Sequence, residues 1–456
     1  VVIGGVAAGM SAASRARKLS PEMEITVLEK GRDVSYGACG LPYFISGAVD
    51  RPEDLVVYDA SFFREKRNID VRLEHEAVEI EPGRRRVFAL ASGSRPVEFP
   101  YDALIVATGA APEVTLPGSQ LDGVFTVNDL AAAVRLREWI ASEKPQQAVI
   151  VGSGYIGLEM AEAMRTRGLA VTLLERSPKL APGFSEAVEA TLREHLASHG
   201  ISLATATEVV EIVGSASGHV REVVASGGRN FSAQVVILAT GVIPRTDLAR
   251  AAGLQIGPTG AIAVDERMQT NFAGIFAAGD CAETRHLVSG RPIFFPLGTT
   301  ANKQGRVAGE NAAGGNARFE GIVGTLITKV FELGLARTGL TAAEARRNGF
   351  QAEEVTIDSR THANYLGGKT LTLTLVWDAA SDLFLGCQIA GDVCAAKRID
   401  AAAVALHAQM RLSEMLHLDL AYAPPTGTVW DPLLIAVNEA VKFRAHRRVG
   451  TSKTRQ

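Results

Sequence analysis

One pattern occurs twice in this 456-residue chain and constrains its fold more than any other feature: an apolar strand, a glycine-rich turn, a helix, and a second strand ending in an acid. The first copy runs through Val1-Val2-Ile3 and Gly4-Gly5-Val6-Ala7-Ala8-Gly9 to Val27-Leu28-Glu29. The second runs from Ala148 to Val151, through Gly152-Ser153-Gly154-Tyr155-Ile156-Gly157, to Leu173-Leu174-Glu175. Glycine at these positions lets the backbone turn tightly, approach a pyrophosphate and pack helix on strand, so that helix N-terminal amides face the phosphates. An acid about 20 residues on is placed to bond ribose hydroxyls. The second turn carries all three glycines, whereas the first has Val6 where the middle one is usual.

Each copy is closed by a buried-strand run and Ala-Thr-Gly, first Leu104 to Gly109 and then Val235 to Gly241. Pro112, Pro117 and Gly118 mark an exit from the first unit, and Ile275 to Asp280 a return to it. After about residue 325 the pattern changes. Thr370 to Trp377 alternates polar and apolar side chains, Asp378 to Asp382 reads as a turn, and Leu383 to Ile389 as the returning strand. Ala395 to Met410 has helical composition. The expected fold class is α/β, with two Rossmann-like dinucleotide-binding domains, the second inserted in the first, plus a C-terminal α+β dimerisation domain. The boundaries are 1–112 with 243–325, then 113–242, then 326–456. Two dinucleotide sites in one chain suggest a flavin paired with a nicotinamide. Glu175 favours NADH because a carboxylate repels a 2′-phosphate, while Arg176 and Lys179 leave NADPH open.

A net charge of −3 supplies no global field for nucleic acid or an anionic membrane. The basic stretch from Arg444 to Arg455 reads as a solvated terminus. No apolar run approaches the ~18 residues of a membrane span, and no charged-then-apolar leader precedes Val1. Because the chain begins inside an apparent strand, a few leading residues are expected to be missing. Four cysteines, Cys39, Cys281, Cys387 and Cys394, have neither disulfide-framework nor zinc-knuckle spacing, so a reducing cytoplasm and no metal site are expected. Cys281, Cys387 and Cys394 read as structural.

Cys39 lies in Ser35-Tyr36-Gly37-Ala38-Cys39-Gly40-Leu41-Pro42-Tyr43, where a helix start would favour its thiolate. With this segment, the two glycine turns, Ala277-Ala278-Gly279-Asp280 and Ala421-Tyr422-Ala423-Pro424-Pro425, the chain resembles the single-cysteine branch of the pyridine nucleotide-disulfide oxidoreductases over nearly its whole length. Coenzyme A-disulfide reductases are the most similar members. The resemblance implies FAD held by Gly4, Gly5, Val6, Ala7, Ala8, Gly9, Glu29 with Lys30, Thr108, Gly109, Gly279 and Asp280. It implies a nicotinamide cofactor held by Gly152, Gly154, Tyr155, Ile156, Gly157, Glu159, Glu175 and Gly241, with Tyr155 stacked over the flavin. Lys303 approaches either the flavin or a surface carboxylate.

The same resemblance implies a homodimer in which Tyr422 and Tyr365 reach the partner's cysteine as proton donors or thiol-orienting groups, or else serve only as interface rings. Arg15 and Lys18, three apart on one helix, either hold coenzyme A phosphates or form a solvated face, and Ser35 adjoins the substrate with Cys39. The chain departs from the pattern at Ala38, where asparagine is common, and around Tyr365, where relatives often carry two tyrosines. Phe44 stands five residues after Cys39, so a C-x-x-x-x-C internal disulfide cannot form. Ala7 replaces the histidine usual in related oxidases and peroxidases, which argues against peroxide as main substrate. The expected activity is NAD(P)H reduction of a small disulfide, foremost coenzyme A disulfide. A persulfide or polysulfide reductase comes next, then an NADH oxidase or peroxidase, then a flavoprotein whose nicotinamide binding controls partner association.

Overall fold

The computed structural model describes residues 1–91 and 96–453, with side chains described as far as residue 444. Arg444 pairs with Asp382; the rest of the basic tail, to Arg455, lies outside the described side chains.

The first glycine turn follows Val2–Ile3, the central strand of a five-stranded parallel sheet. Its neighbours are Leu104–Val106 on one side and Thr26–Leu28 on the other, with Val2 opposite both Ile105 and Val27. Asp70–Arg72 and Ile275–Ala277 form the two edges. The strand Ile275–Ala277 thus returns to the sheet of the N-terminal strand, as its apolar run predicts. A second parallel sheet lies between these segments, in the order Ile201–Ala204, Ala170–Leu174, Gln147–Val151, Val235–Leu238, Val124–Phe125. Its central strands are apolar because both faces are covered, one by helices and the other by an antiparallel sheet that contributes Val209, Ile212, Val220 and Val223. Two three-stranded antiparallel sheets accompany them, one from His75–Glu81, Arg86–Ala91 and Pro96–Pro100, the other from Val209–Gly214, Val220–Ala225 and Arg229–Ser232.

The third large sheet is antiparallel, in the order Leu326–Val330, Leu333–Gly339, Phe384–Asp392, Thr370–Asp378, Ala352–Arg360. Strand alternation explains what covers it. Leu371, Leu373 and Leu375 point into a core shared with the helices Ile399–His407 and Pro432–Lys453. Thr372 and Thr374 point the other way, where Thr374 Oγ1 meets Ser185 Oγ at 2.8 Å, the cap of the helix Glu186–Ser198 in the inserted sheet's unit.

The continuous helix expected over Ala395 to Met410 is broken into Val393–Ala396 and Ile399–His407. The break falls at Arg398, which is drawn to tertiary partners. Its Nε donates to Asp431 at 3.0 Å, and its Nη2 to the carbonyls of Thr361 at 2.9 Å and Thr426 at 2.8 Å. Both members of this ion pair are largely buried, with side chains 16% and 15% exposed. Removing one partner of such a pair strands the other charge. Arg398→Ala is therefore expected to lower unfolding stability by about 3 kcal/mol, read as a drop in the urea midpoint, with Arg398→Lys intermediate.

Candidate active site

Cys39 occupies a single 3-10 turn, Ala38–Gly40, that leads into the short helix Leu41–Ser46. The turn is held from behind: the Gly37 amide donates to the Leu55 carbonyl at 2.8 Å, and the Ser35 amide to the Gly5 carbonyl at 2.9 Å. Ser35 itself adopts φ 52°, so the loop folds back onto the first glycine turn. At the far end of the helix, Arg167 Nε donates to the Ile45 carbonyl at 2.7 Å and Arg137 Nη1 to that of Asp50 at 2.6 Å. Cations at a helix C-terminus are favourable, and these two fix the cysteine helix against the inserted unit.

The thiol does not meet the expectation of a favoured thiolate. Cys39 is exposed by surface area, yet the segments crowded around its thiol strip enough solvent to push it above its ordinary value, and the carboxylates of Glu159 and Asp280 push it further. Cys39 precedes the helix rather than opening it, and a six-residue helix has little dipole to oppose two nearby anions. Tyr155, the first residue of the helix Tyr155–Thr166, is driven up to about 12 by burial and by the charges of Asp280, Cys39 and Glu159. Tyr43 shifts upward by burial and then by Glu159, Glu162 and Cys39. Cys39, Tyr43, Tyr155, Glu159 and Asp280, from three distant segments, therefore share one electrostatic site.

Glu159 is raised by burial, against the opposing bond from Thr328 Oγ1 at 2.7 Å. Glu162, one turn on, pairs with Lys329 and accepts from the Phe331 amide at 2.9 Å. Thr328 and Lys329 carry no sequence signal, and Tyr43 stands in the cysteine segment without a role assigned to it there. No local pattern reveals a hairpin packed against a helix some 170 residues earlier.

The dinucleotide turns are built alike. Glu29 accepts from the amides of Gly5 and Gly31, each at 2.7 Å. Glu175 accepts from the Ser153 amide at 2.9 Å, the Ser153 hydroxyl at 2.6 Å and the Ser177 amide at 2.7 Å. A methyl at Gly9 would stand 1.8 Å from the Gly4 carbonyl oxygen, whereas one at Gly154 would meet nothing within 4 Å. The close helix-strand approach and the open phosphate-facing side are thus assigned to different glycines, with Val6 at the matching place of the first turn. Neither Val6 nor Gly154 offers a capping side chain, while Asp129 and Ser185 cap the helices Leu130–Glu143 and Glu186–Ser198. Ala7, Ala8, Ile156 and Gly157 lie in the first turns of those two uncapped helices, whose amides are free for phosphate.

Desolvation pushes Asp280 up to about 6, and among the described residues no protein group hydrogen-bonds its carboxylate. A ribityl hydroxyl would supply the missing partner, so the residues fit FAD. The Gly279 amide beside it donates to the buried Gln304 at 2.8 Å. Thr108 and Gly109 form a turn tied to Arg245, the Thr108 hydroxyl donating to its carbonyl at 2.7 Å. Gly241, at φ 118°, accepts from the Glu113 amide at 3.1 Å. Lys30 is exposed next to Glu29.

Arg15 is paired with Glu310 at 2.9 Å, while Lys18 is exposed. Lys303 lines an open cleft together with Arg15, Arg306 and Arg318. Tyr365 and Tyr422 are 77% and 46% exposed, and no contact within the described residues links either to Cys39. Their loops are joined to each other, since the Ala363 amide donates to the Pro424 carbonyl at 3.2 Å. Cys281 and Cys387 are buried as structural cysteines should be, but Cys394 is exposed, its amide capping onto Asp392, so packing does not account for it.

Two titrations follow. Glu159→Gln removes a carboxylate that opposes ionisation of Cys39, so the pH profile of iodoacetamide alkylation is expected to move to lower pH; a profile unchanged or moved upward would contradict this arrangement. For Asp280 the folded value lies above the ordinary 3.8, so its ionisation opposes folding increasingly from about pH 4 to pH 6 and fully above. Flavin-free Asp280→Asn is expected to be more stable than the parent by roughly 3 kcal/mol at pH 8 and equal to it below pH 4, measured by urea denaturation.

Residues 1–305 match the family described as pyridine nucleotide-disulphide oxidoreductase, and residues 326–432 the dimerisation domain of the same family. The NAD(P)H coenzyme A polysulfide/persulfide reductase of Pyrococcus horikoshii is 40% identical over 439 residues, 95% of this chain and 96% of the relative. The coenzyme A disulfide reductase of Staphylococcus haemolyticus is 30% identical over 93% of this chain and 95% of its own. Among solved structures, an NAD-dependent persulfide reductase from A. fulgidus superposes with a TM-score of 0.94 at 39% identity, over 98% of this chain and 83% of that one. On the agreement of fold, repeated dinucleotide turns and near full-length similarity, the chain belongs to the pyridine nucleotide-disulphide oxidoreductase family.

Proposed function

We propose that this protein is an FAD-dependent NAD(P)H reductase that breaks the S–S bond of a coenzyme A-linked sulfur substrate through Cys39. The observation that carries the reading is an exposed, solitary cysteine beside Glu159, Asp280 and Tyr155, with Phe44 where an internal partner thiol would stand. A lone thiol must find its second sulfur in a substrate. FAD, when bound by the first glycine turn, Glu29 and Asp280, supplies the two-electron link between nicotinamide and sulfur.

The chain's own part is to bind, aim and protonate. The Cys39 sulfur attacks one sulfur of the acceptor, forming a mixed disulfide and expelling the other sulfur as a thiolate, which takes a proton from Tyr422 of a second copy or from solvent. Two electrons from NAD(P)H then split the mixed disulfide, releasing the second thiol and restoring Cys39. Balance requires one NAD(P)H and one proton per disulfide. With a persulfide the products are one thiol and hydrogen sulfide. The exposed rings of Tyr365, Tyr422 and Trp430 and the dimerisation-domain match support assembly as a homodimer. Arg15, Lys18 and Lys303 suit the phosphates of coenzyme A. Four unpaired cysteines suit a reducing cytoplasm, and among the described residues no helix is long and apolar enough to cross a membrane.

The persulfide reading is favoured over the plain disulfide by the 40% identity to a polysulfide/persulfide reductase, against 30% to a disulfide reductase. Anaerobic NADH and NADPH oxidation, with coenzyme A disulfide, coenzyme A persulfide and glutathione disulfide offered in turn, tests both. Turnover is expected with a coenzyme A acceptor, to fall at least about 100-fold in Cys39→Ser, and to fall on the order of 10²-fold in Tyr422→Phe. Equal rates in Cys39→Ser would overturn the thiol mechanism.

A further inference from the structure

Away from the redox site, two histidines and a glutamate converge where the helix Glu186–Ser198 meets the tip of the hairpin Leu326–Val330/Leu333–Gly339. His195 lies in the last turn of the helix and His199 just past its end, so the four-residue spacing stacks the imidazoles on one face, 4.4 Å between ring centres. Phe331, at φ 51°, turns the hairpin back so that Glu332 faces them. The Glu332 Oε2 atom is 3.2 Å from His199 Nε2 and 3.9 Å from His195 Nε2. The three candidate donor atoms all lie within 4.8 Å of one another.

The hydrogen bonds decide what His199 presents. Its Nδ1 lies 2.8 Å from the His195 carbonyl oxygen, which can only accept, so Nδ1 carries the hydrogen of the neutral ring. In the neutral ring its Nε2 is then a lone pair 3.2 Å from a carboxylate oxygen, and two acceptors at that separation hold a cation between them, either a proton or a metal ion. The Phe331 ring, stacked on His199 at 3.9 Å and 10°, fixes the imidazole plane. An Nδ1–H bond to a backbone carbonyl with Nε2 turned outward is the arrangement that orients metal-bound imidazoles.

We propose that His195, His199 and Glu332 bind one zinc ion, with solvent as the fourth ligand, clamping the helix of the inserted unit to the C-terminal hairpin. Bonds of about 2.0–2.2 Å in a tetrahedral shell place donors roughly 3.4 Å apart, against the 3.2 Å and 3.9 Å that separate Glu332 Oε2 from the two imidazole nitrogens. Two imidazoles and one carboxylate suit zinc rather than magnesium or calcium. Binding requires His195 Nε2 to release the Val330 carbonyl, now at 3.0 Å. Glu332, with its side chain 68% exposed, leaves the ion a path from solvent. The same hairpin holds Glu159 and Glu162 through Thr328, Lys329 and the Phe331 amide, so the clamp braces the helix of the second glycine turn. The sequence reading expected no metal because it weighed cysteine spacings, and a His-x-x-x-His pair gives no hint of a glutamate more than 130 residues away.

The test is equilibrium dialysis of zinc against FAD-loaded protein carrying Cys39→Ser and Cys394→Ser, which removes the exposed thiols as competing ligands. One zinc per chain is expected, with a raised Tm. Both effects are expected to vanish in Glu332→Gln and in His199→Gln, each weakening binding at least about 100-fold. Flavin content verifies that the variants fold, and Glu332 is exposed enough for its substitution to leave the core intact. No zinc bound at about 100 μM, leaving a proton as the cation between His199 and Glu332, overturns the site. Zinc retained undiminished in either variant overturns it as well.

Discussion

Two helices separated by more than half of the chain's length touch backbone to backbone, and the redox site is arranged around that contact. A methyl at Gly305 would stand 2.2 Å from the Ala8 carbonyl oxygen, and one at Gly309 2.1 Å from that of Ala12. The helix Gly298–Ala312 can therefore lie directly on Ala7–Leu19, the helix of the first glycine turn. Dispersion over so short a separation is strong, and no larger side chain could be admitted without parting the pair. Gly279 closes over Ala8, and the buried Gln304 takes the Gly279 amide while donating to the Glu283 carbonyl at 3.1 Å. That chain of contacts sets the height of Asp280. Further along the same seam, Arg15 and Glu310 lock the helices in register.

The repeated nucleotide pattern was legible because it is local: strand, turn and helix follow within 30 residues, and the acid closes each unit. The threonine-leucine alternation of Thr370–Asp378 was legible for the same reason, its period matching the pleat of a strand. Illegible were the features that depend on distant partners. The three-stranded sheets at 75–100 and 209–232 each bury one face, but register shifts at Ala77/Glu79 and Val213/Gly214 and the charged residues among the apolar ones interrupt the alternation, so no clean period marks them. The break at Arg398 arises from carbonyls of Thr361 and Thr426 that composition cannot foresee. The thiol shift at Cys39 comes from burial first and then from carboxylates 120 and more residues away, both set by the tertiary fold.

Electrostatics at the cysteine work against the form of the sulfur that the proposed attack requires. Burial and two carboxylates disfavour thiolate, the reactive form, in the protein by itself. Burial, and then the same anionic surroundings, also push the Tyr43 and Tyr155 phenols upward beside it.

The bonding of Glu175 bears on how such a chain could exchange one nicotinamide for another over evolutionary time. Its carboxylate, expected from the sequence to meet the ribose, is also a staple: the Ser153 amide and hydroxyl and the Ser177 amide all converge on it from both sides of the glycine turn. Replacing it with a small neutral residue to admit a 2′-phosphate would leave two backbone donors in a largely buried turn without an acceptor. The neighbouring Arg176 and Lys179 are exposed and carry no such duty in the turn. Drift in cofactor preference is thereby channelled to the rim of the site, where charge can change without dismantling the loop that grips the pyrophosphate.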